Sequence, residues 1–228
     1  MTDVVALTTA CVLGFLHALE VDHMLAVTNF VTQRPAPRTA ARFGFRWGLG
    51  HTVAVLAAGG LLLATGLRWP ERLDQWAEAA VGALLIGIGL WALRSTRNLH
   101  IHSPAEHGDH LHLHTHPDGQ GGAHAHPHAH PHRGHGITLV GLAHGLAGTS
   151  AVVALVPVTM VDRVSVGVGY LLAFGVGVTA AMTMFAAVSA LAMKTAAGRS
   201  LALGRRLSGL VAVAGVVTGA FWIWRAMT

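Results

Sequence analysis

Residues 4–31 read VVALTTACVLGFLHALEVDHMLAVTNFV. This run is longer than the ~20 apolar residues that an α-helix needs to cross a bilayer. Four ionisable residues nevertheless stand together in its middle, at His17, Glu20, Asp22 and His23. A secretory signal has a lysine or arginine before its apolar run, and this run has none. We therefore predict that it is a first membrane span rather than a leader.

The rest of the chain has the composition of an integral membrane protein. Of its 228 residues, 53% are hydrophobic and only 11% are charged, with a mean hydropathy of +0.54. Soluble domains carry about 25% charged residues. Apolar stretches of span length also cover roughly 44–66, 76–94, 137–160, 165–193 and 208–227. We therefore predict an all-α membrane protein with six transmembrane helices.

The charge distribution argues against one class of partner, and the cysteine count limits the kinds of metal site. The net charge is +5, but the 15 basic residues are scattered between apolar runs, so we predict no nucleic-acid partner. Cys11 is the single cysteine, which excludes internal disulfides and cysteine-based zinc clusters. A metal would therefore be held by imidazole and carboxylate groups, which the 17 histidines can supply.

The basic residues also predict an orientation in the membrane. The first, third and fifth loops carry eleven of them, and the second loop, the fourth loop and the C-terminal tail carry four. By the positive-inside rule the odd-numbered loops are cytoplasmic and both termini lie outside. We therefore predict a protein that is embedded in the lipid bilayer of the cell (inner) membrane. Five tryptophans fall at predicted span ends and Trp47 lies near another, as expected of interfacial anchors.

The chain resembles itself at an offset of 127 residues. GFLHAL (14–19) aligns with GLAHGL (141–146), and GLGHT (48–52) aligns with GVGVT (175–179). Three spans per copy is an odd number, so the second copy must be inverted relative to the first. Such repeats place a binding site at their interface near the middle of the membrane.

A histidine-rich segment joins the two predicted halves. The halves cover residues 1–94 and 137–228, and the loop over 95–136 holds 13 of the 17 histidines. Because glycine and proline are interleaved and few residues are apolar, we expect this loop to be disordered when no metal is bound. The histidines that we assign to loose metal capture are His110, His112, His114, His116, His124, His126, His128, His130 and His132. The loop is either a cytoplasmic metal buffer or a dispensable linker.

The ionisable residues inside the spans are the main functional signal. We assign a divalent metal ion to His17, Asp22, His23, His51 and His144, and leave Glu20 as a ligand, a proton acceptor or a partner that orients a ligand. On a straight helix Asp22 and His23 would lie about 140° and 120° from His17. Either the helix is unwound within ALEVD, or His17 and one neighbour bind the ion together with His51 and His144 from two other helices. This set suits nickel, cobalt or zinc, whereas magnesium and calcium prefer oxygen ligands.

The stretch HALEVDH (17–23) has a His-x-x-x-x-Asp-His pattern and resembles the signature of the nickel/cobalt transporter (NiCoT) superfamily. GLGHT (48–52) looks like that family's Gly-His-Ser/Thr stretch, and GLAHGLAGTSAV (141–152) is similar to a stretch of shorter relatives found near urease genes. The resemblance implies secondary transport of Ni²⁺ or Co²⁺ as substrate, with no prosthetic group. It also implies metal recognition by the first motif and by His51.

The chain departs from the family in two ways, of which the first leaves the transport direction open and the second leaves the role of Glu20 open. Longer members have eight spans, so six spans place the chain with a compact branch that includes exporters. Val21 stands where family members often carry the first residue of an acidic pair. We favour uptake, with an exporter, a zinc transporter and a metal-storage or accessory protein as alternatives. A homo-oligomer or a metallochaperone partner also stays open. His-Glu-x-x-His and nucleotide-binding motifs are absent, so we predict no enzymatic activity.

Overall fold

The computed structural model describes residues 2–33, 36–65, 71–97, 100–102, 112–114, 134–146 and 164–228. Within these ranges the chain forms seven helices and two short strands. The elements are α1 (Thr2–His17), α2 (Val21–Thr32), α3 (Pro37–Thr65), α4 (Glu71–Arg97), β1 (His100–His102), β2 (His112–His114), α5 (Gly134–Leu146), α6 (Val164–Arg199) and α7 (Leu201–Met227). The predicted helical architecture is confirmed at this level.

Several helices have the length and apolarity that a membrane crossing requires. They are Gln75–Thr96 within α4, Ser165–Arg199 within α6 and Ala202–Met227 within α7. Helices α1 and α2 meet the same test together, as a pair bent by 57°. The count of six spans stays a prediction, and residues 147–160 of the fourth predicted span lie outside the described residues.

Close backbone contacts between helices are made at glycines. A Cβ added at Gly14 would overlap the carbonyl oxygen of Phe174, and a Cβ added at Gly141 would overlap the carbonyl oxygen of Trp47. Small residues permit this approach between membrane helices. At the offset of 127 residues Gly14 corresponds to Gly141 and Trp47 to Phe174. The α1–α6 contact is therefore repeated between α5 and α3.

The contacts between α3 and α6 also occur in corresponding pairs. A Cβ at Gly48 would press on Thr179, and a Cβ at Gly175 would press on Thr52. The hydroxyl oxygens of Thr52 and Thr179, which correspond at the same offset, lie 3.2 Å apart. Each of these two helices therefore presents a glycine to a threonine of the other.

Trp47 is not the interfacial anchor that its sequence position predicted. Its side chain is fully buried, and its ring lies 5.7 Å from the ring of His144. The expectation is wrong because α3 begins at Pro37, which places Trp47 well inside the helix on its core-facing side. Trp76 and Trp224 are exposed, as anchors would be.

The histidine-rich loop contains two paired strands. The antiparallel register aligns His100 with His114, Ile101 with Leu113 and His102 with His112. The expected disorder is therefore wrong for these six residues, in which polar and apolar residues alternate as they do in β-strands. The other predicted metal-capture histidines, His110, His116, His124, His126, His128, His130 and His132, lie outside the described residues.

Candidate metal centre

The centre is built around a break between α1 and α2. Helix α1 ends at His17, and the amide of Glu20 donates to the His17 carbonyl at 3.0 Å in a tightened last turn. Glu20 has an extended backbone, with φ −65° and ψ 152°, and its side chain does not cap α2. The break lies within ALEVD (18–22), which confirms the interpretation that the helix is unwound there.

The break brings together side chains that a continuous helix would separate. On an unbroken helix His17 and His23 would be about 9 Å apart along the axis and about 120° apart around it. In the structure their ring centroids are 4.5 Å apart. The distortion of the backbone is therefore what places both imidazoles in one site.

Two other helices contribute one histidine each. The ring of His51, from α3, lies 5.3 Å from the rings of both His17 and His23. The ring of His144, from α5, lies 4.4 Å from that of His23 and 6.4 Å from that of His51. All four histidines and Asp22 are buried. His23 is at the centre of the cluster.

The five side chains form two overlapping groups of three ligands. One group is His17, His23 and His51, and the other is Asp22, His23 and His144; within each, the ligand atoms lie within 4.8 Å of one another. Metal–imidazole bonds are about 2.0–2.1 Å long, so two ligands of one ion lie at most about 4 Å apart. Either group could therefore close on an ion through small side-chain movements.

The hydrogen bonds leave imidazole nitrogens available to a metal. His23 Nδ1 donates to Asp22 Oδ1 at 3.1 Å, whereas His23 Nε2 and both ring nitrogens of His51 are buried without a hydrogen-bond partner among the described residues. A buried polar atom without a partner costs about 1–3 kcal/mol. A carboxylate that binds one imidazole nitrogen directs the other toward a metal, which is the arrangement of Asp22 and His23.

The two carboxylates of the first motif lie in different surroundings. Asp22 is buried, and its Oδ2 lies 3.4 Å from His144 Nε2. Glu20 is about half exposed, and its Oε1 lies 3.0 Å from His17 Nδ1. Neither contact has the geometry of a hydrogen bond. Asp22 is thus inside the cluster and Glu20 is at its edge.

Aromatic rings flank the two histidines that correspond in the halves. His17 stacks on Phe174, with ring centroids 5.6 Å apart, and the ring of His144 lies 5.7 Å from that of Trp47. These are the aromatic residues whose carbonyls contact Gly14 and Gly141. His17 and His144 therefore share the same kinds of contact: an aromatic ring beside the imidazole, whose carbonyl approaches a glycine on the histidine's own helix.

The structure brings together all five predicted ligands, and it adds two buried polar residues that the sequence did not single out. Trp47 was interpreted as an anchor, and Asn29 carries no charge that would mark it within an apolar span. The Nε1 of Trp47 and the Oδ1 of Asn29 are buried without a hydrogen-bond partner within the described ranges. Only their burial, which requires coordinates, distinguishes them.

Sequence comparison finds that the chain is similar to the urease accessory protein UreH of Bacillus sp. (strain TB-90). The two are 29% identical over 182 residues, which cover 78% of this chain and 73% of that protein. No protein-family model matches the chain. No solved structure matches it.

Proposed function

We propose that the chain is a secondary transporter of divalent nickel or cobalt, with uptake favoured over export. The observation that carries the proposal is the convergence of four buried histidines and Asp22 at the break between two apolar helices. Imidazole and carboxylate ligands suit these metals. Broken helices are common at transport sites. Similarity to a urease accessory protein supports nickel. So does the stretch over 141–152, which resembles that of shorter relatives found near urease genes.

The ligands have separate roles in this proposal. His17, His23 and His51 hold the ion from the first half of the chain, with His23 binding through Nε2. Asp22 fixes the orientation of the His23 ring through the bond to Nδ1. His144 completes the second group and is the one ligand of the five that follows the histidine-rich loop.

The end of α1 also favours a cation. The last carbonyl groups of a helix carry a partial negative charge. α1 ends at His17, so its carboxyl end lies at the cluster, beside the start of α2 at Val21. Helix ends of this kind coordinate cations in transporters with discontinuous helices.

Transport requires that the site open alternately to the two sides. The reciprocal contacts at Gly14 and Gly141, and between Thr52 and Thr179, support two inverted repeats over residues 1–94 and 137–228. Movement of one half against the other would change the distance from His144 to the remaining ligands. That movement would release the ion from the second group and expose it.

The proposed orientation places both termini outside and the histidine-rich loop in the cytoplasm of a six-span protein. Inward movement of a doubly charged ion is then favoured by about 4.6 kcal/mol per 100 mV of membrane potential. No second coupling ion is required for uptake. The loop would bind ions on the side where they emerge.

The experiment compares nickel content over time in cells expressing the intact chain, a His17→Ala variant and a His135→Ala control at a histidine that is not among the proposed ligands. Accumulation by the intact chain and the control, but not by His17→Ala, is expected. Export would be established instead if cells preloaded with nickel lost it when they expressed the intact chain or the control, but not when they expressed His17→Ala. Equal nickel content in all cells, including those lacking the protein, would contradict nickel transport.

A membrane accessory protein that binds nickel without moving it is the second candidate. It is favoured by the printed name of the relative, which describes an accessory protein of urease. Purified protein in liposomes separates the two functions. A transporter gives nickel flux, whereas an accessory protein binds nickel and gives none.

A further inference from the structure

The two strands of the histidine-rich loop bring four histidines into a fixed order. Each strand has histidines at its two ends and one apolar residue between them. The antiparallel register sets His100 opposite His114 and His102 opposite His112. Two of the four, His100 and His102, are not among the loop histidines that we assign to loose metal capture.

The register places all four histidines on one face of the ribbon. Residues two apart on a strand lie on the same face, and residues that pair directly across two strands share a face. The intervening residues, Ile101 and Leu113, pair with each other and occupy the opposite face. The ribbon therefore has a histidine face and an apolar face.

The spacing of the histidine face suits the ligands of one metal ion. The Cβ atoms of directly paired residues lie about 4.5–5.5 Å apart, and residues two apart on a strand are about 6.5–7 Å apart. Two nitrogen ligands of one ion lie at most about 4 Å apart, so a pair of histidines across the strands needs little convergence. A set of imidazoles favours nickel, copper or zinc over magnesium and calcium.

The residues between the histidines distinguish these strands from the second alternating stretch of the loop. In the stretch over 124–132 the intervening residues are alanine and proline. Proline has no N–H group to donate to a ladder, and alanine is depleted in strands. The same spacing of histidines therefore does not predict a ladder at 124–132. That stretch supplies matched controls with equal numbers of histidines.

A metal ion would also stabilise the pairing of the strands. A two-stranded ribbon by itself is at best marginally stable in water. An ion that binds the paired strands, and not the separated ones, shifts the equilibrium toward pairing. Binding of the ion and formation of the ribbon are then one coupled event.

We propose that the four histidines of the ribbon together bind one divalent transition-metal ion. They are His100, His102, His112 and His114. The ion is held more tightly there than by the other histidines of the loop, because the ladder orders its ligands before they bind. The proposal concerns binding and not movement of the ion, so it does not depend on the proposed transport function.

Equilibrium dialysis of the purified full chain in detergent, over a range of free Ni²⁺ concentrations, tests the site. The variants change to serine both histidines of β1, both histidines of β2, or all four. Each variant is expected to lose the same single nickel ion, because losses from one shared site do not add. The control changes His126 and His128 to serine and is expected to keep that ion. The buried histidine cluster contributes equally to every protein.

An insertion tests the register without removing any histidine. One alanine inserted between His112 and Leu113 moves the two histidines of β2 to opposite faces, since a shift of one residue exchanges the faces of a strand. This variant is expected to lose the same nickel ion. The control carries one alanine inserted between His128 and Ala129 and is expected to keep it.

Several results would overturn the inference. Additive losses from the two strands would show that the histidines bind ions independently. Retention of the ion after the insertion in β2, or its loss from either control, would show that histidine content and not the ladder determines binding. Absence of nickel flux from the intact chain would overturn the transport function and leave this site in place.

Discussion

Among the individual residues, His23 has the central position in the metal centre. It belongs to both groups of three ligands, and its ring lies within 5.3 Å of the rings of His17, His51 and His144. Its Nδ1 is held by Asp22 and its Nε2 is unpaired within the described residues. The sequence predicted that these five side chains act together, since ionisable residues are rare inside apolar spans, and the structure brings them together. It could not predict that they would divide into two groups.

Asp22→Asn tests whether the carboxylate orients His23. The substitution keeps the shape of the side chain but removes the charge that pairs with His23 and faces His144. We expect nickel affinity to fall about 10- to 100-fold, as it does when a group that orients a metal ligand is removed. Isothermal titration of the purified protein in detergent measures the change.

Glu20→Gln is the matched control, because Glu20 also lies beside a cluster histidine but is about half exposed. We expect a change in affinity of less than about fivefold, as for an exposed ion pair. Equal losses in the two variants would contradict the distinction between the buried and the peripheral carboxylate.

At the scale of the helices, the break between α1 and α2 determines the site. Geometry alone showed that a straight helix could not direct His17, Asp22 and His23 at one ion, so an unwound segment could be predicted. Its details could not, because residues 18–20 include neither glycine nor proline. α1 packs against α6, through contacts such as that of Gly14 with Phe174, whereas α2 packs against α4, α6 and α7. The change of direction at the break is consistent with these different sets of neighbours.

The glycine contacts can be tested through Gly141→Ala. The added Cβ would overlap the Trp47 carbonyl, so α5 must move away from α3 and carry His144 with it. We expect a loss of stability of about 1–3 kcal/mol, as in other overpacked sites. For a chain of this size each kcal/mol lowers the melting temperature by about 2–4 °C. Thermal unfolding in detergent measures it.

Gly60→Ala on α3 provides the control, because a Cβ there meets nothing within 4 Å. Its melting temperature is expected to equal or exceed that of the intact chain, since alanine favours a helix more than glycine does. A fall equal to that of Gly141→Ala would show that close packing is not the cause.

For the whole molecule, the two proposed repeats contribute unequally to the candidate centre. The offset of 127 residues pairs His17 with His144 but pairs His51 with Val178, so the first proposed repeat carries more of the candidate ligands. Motif matches in the sequence predict the repeat. The reciprocal contacts that support it, such as Thr52 with Thr179, required coordinates because hydroxyls in apolar helices more often serve packing alone.

The histidine-rich loop is predicted to bind additional nickel ions weakly without forming part of the transport site. A variant with the nine assigned loop histidines changed to serine should lose weakly bound ions and keep the tightly bound ion of the cluster. Equilibrium dialysis followed by elemental analysis gives the number of nickel ions per chain. Loss of the tight ion in this variant would assign that ion to the loop instead.

Nickel flux into liposomes containing the purified chain, with a membrane potential negative inside, tests whether the histidine cluster carries nickel across the membrane. His51 is deep in the cluster, and both its ring nitrogens are buried without partners among the described residues. We predict time-dependent nickel entry for the intact chain and none for His51→Ala. Equal entry for both proteins would contradict the assignment of the histidine cluster as the transport site.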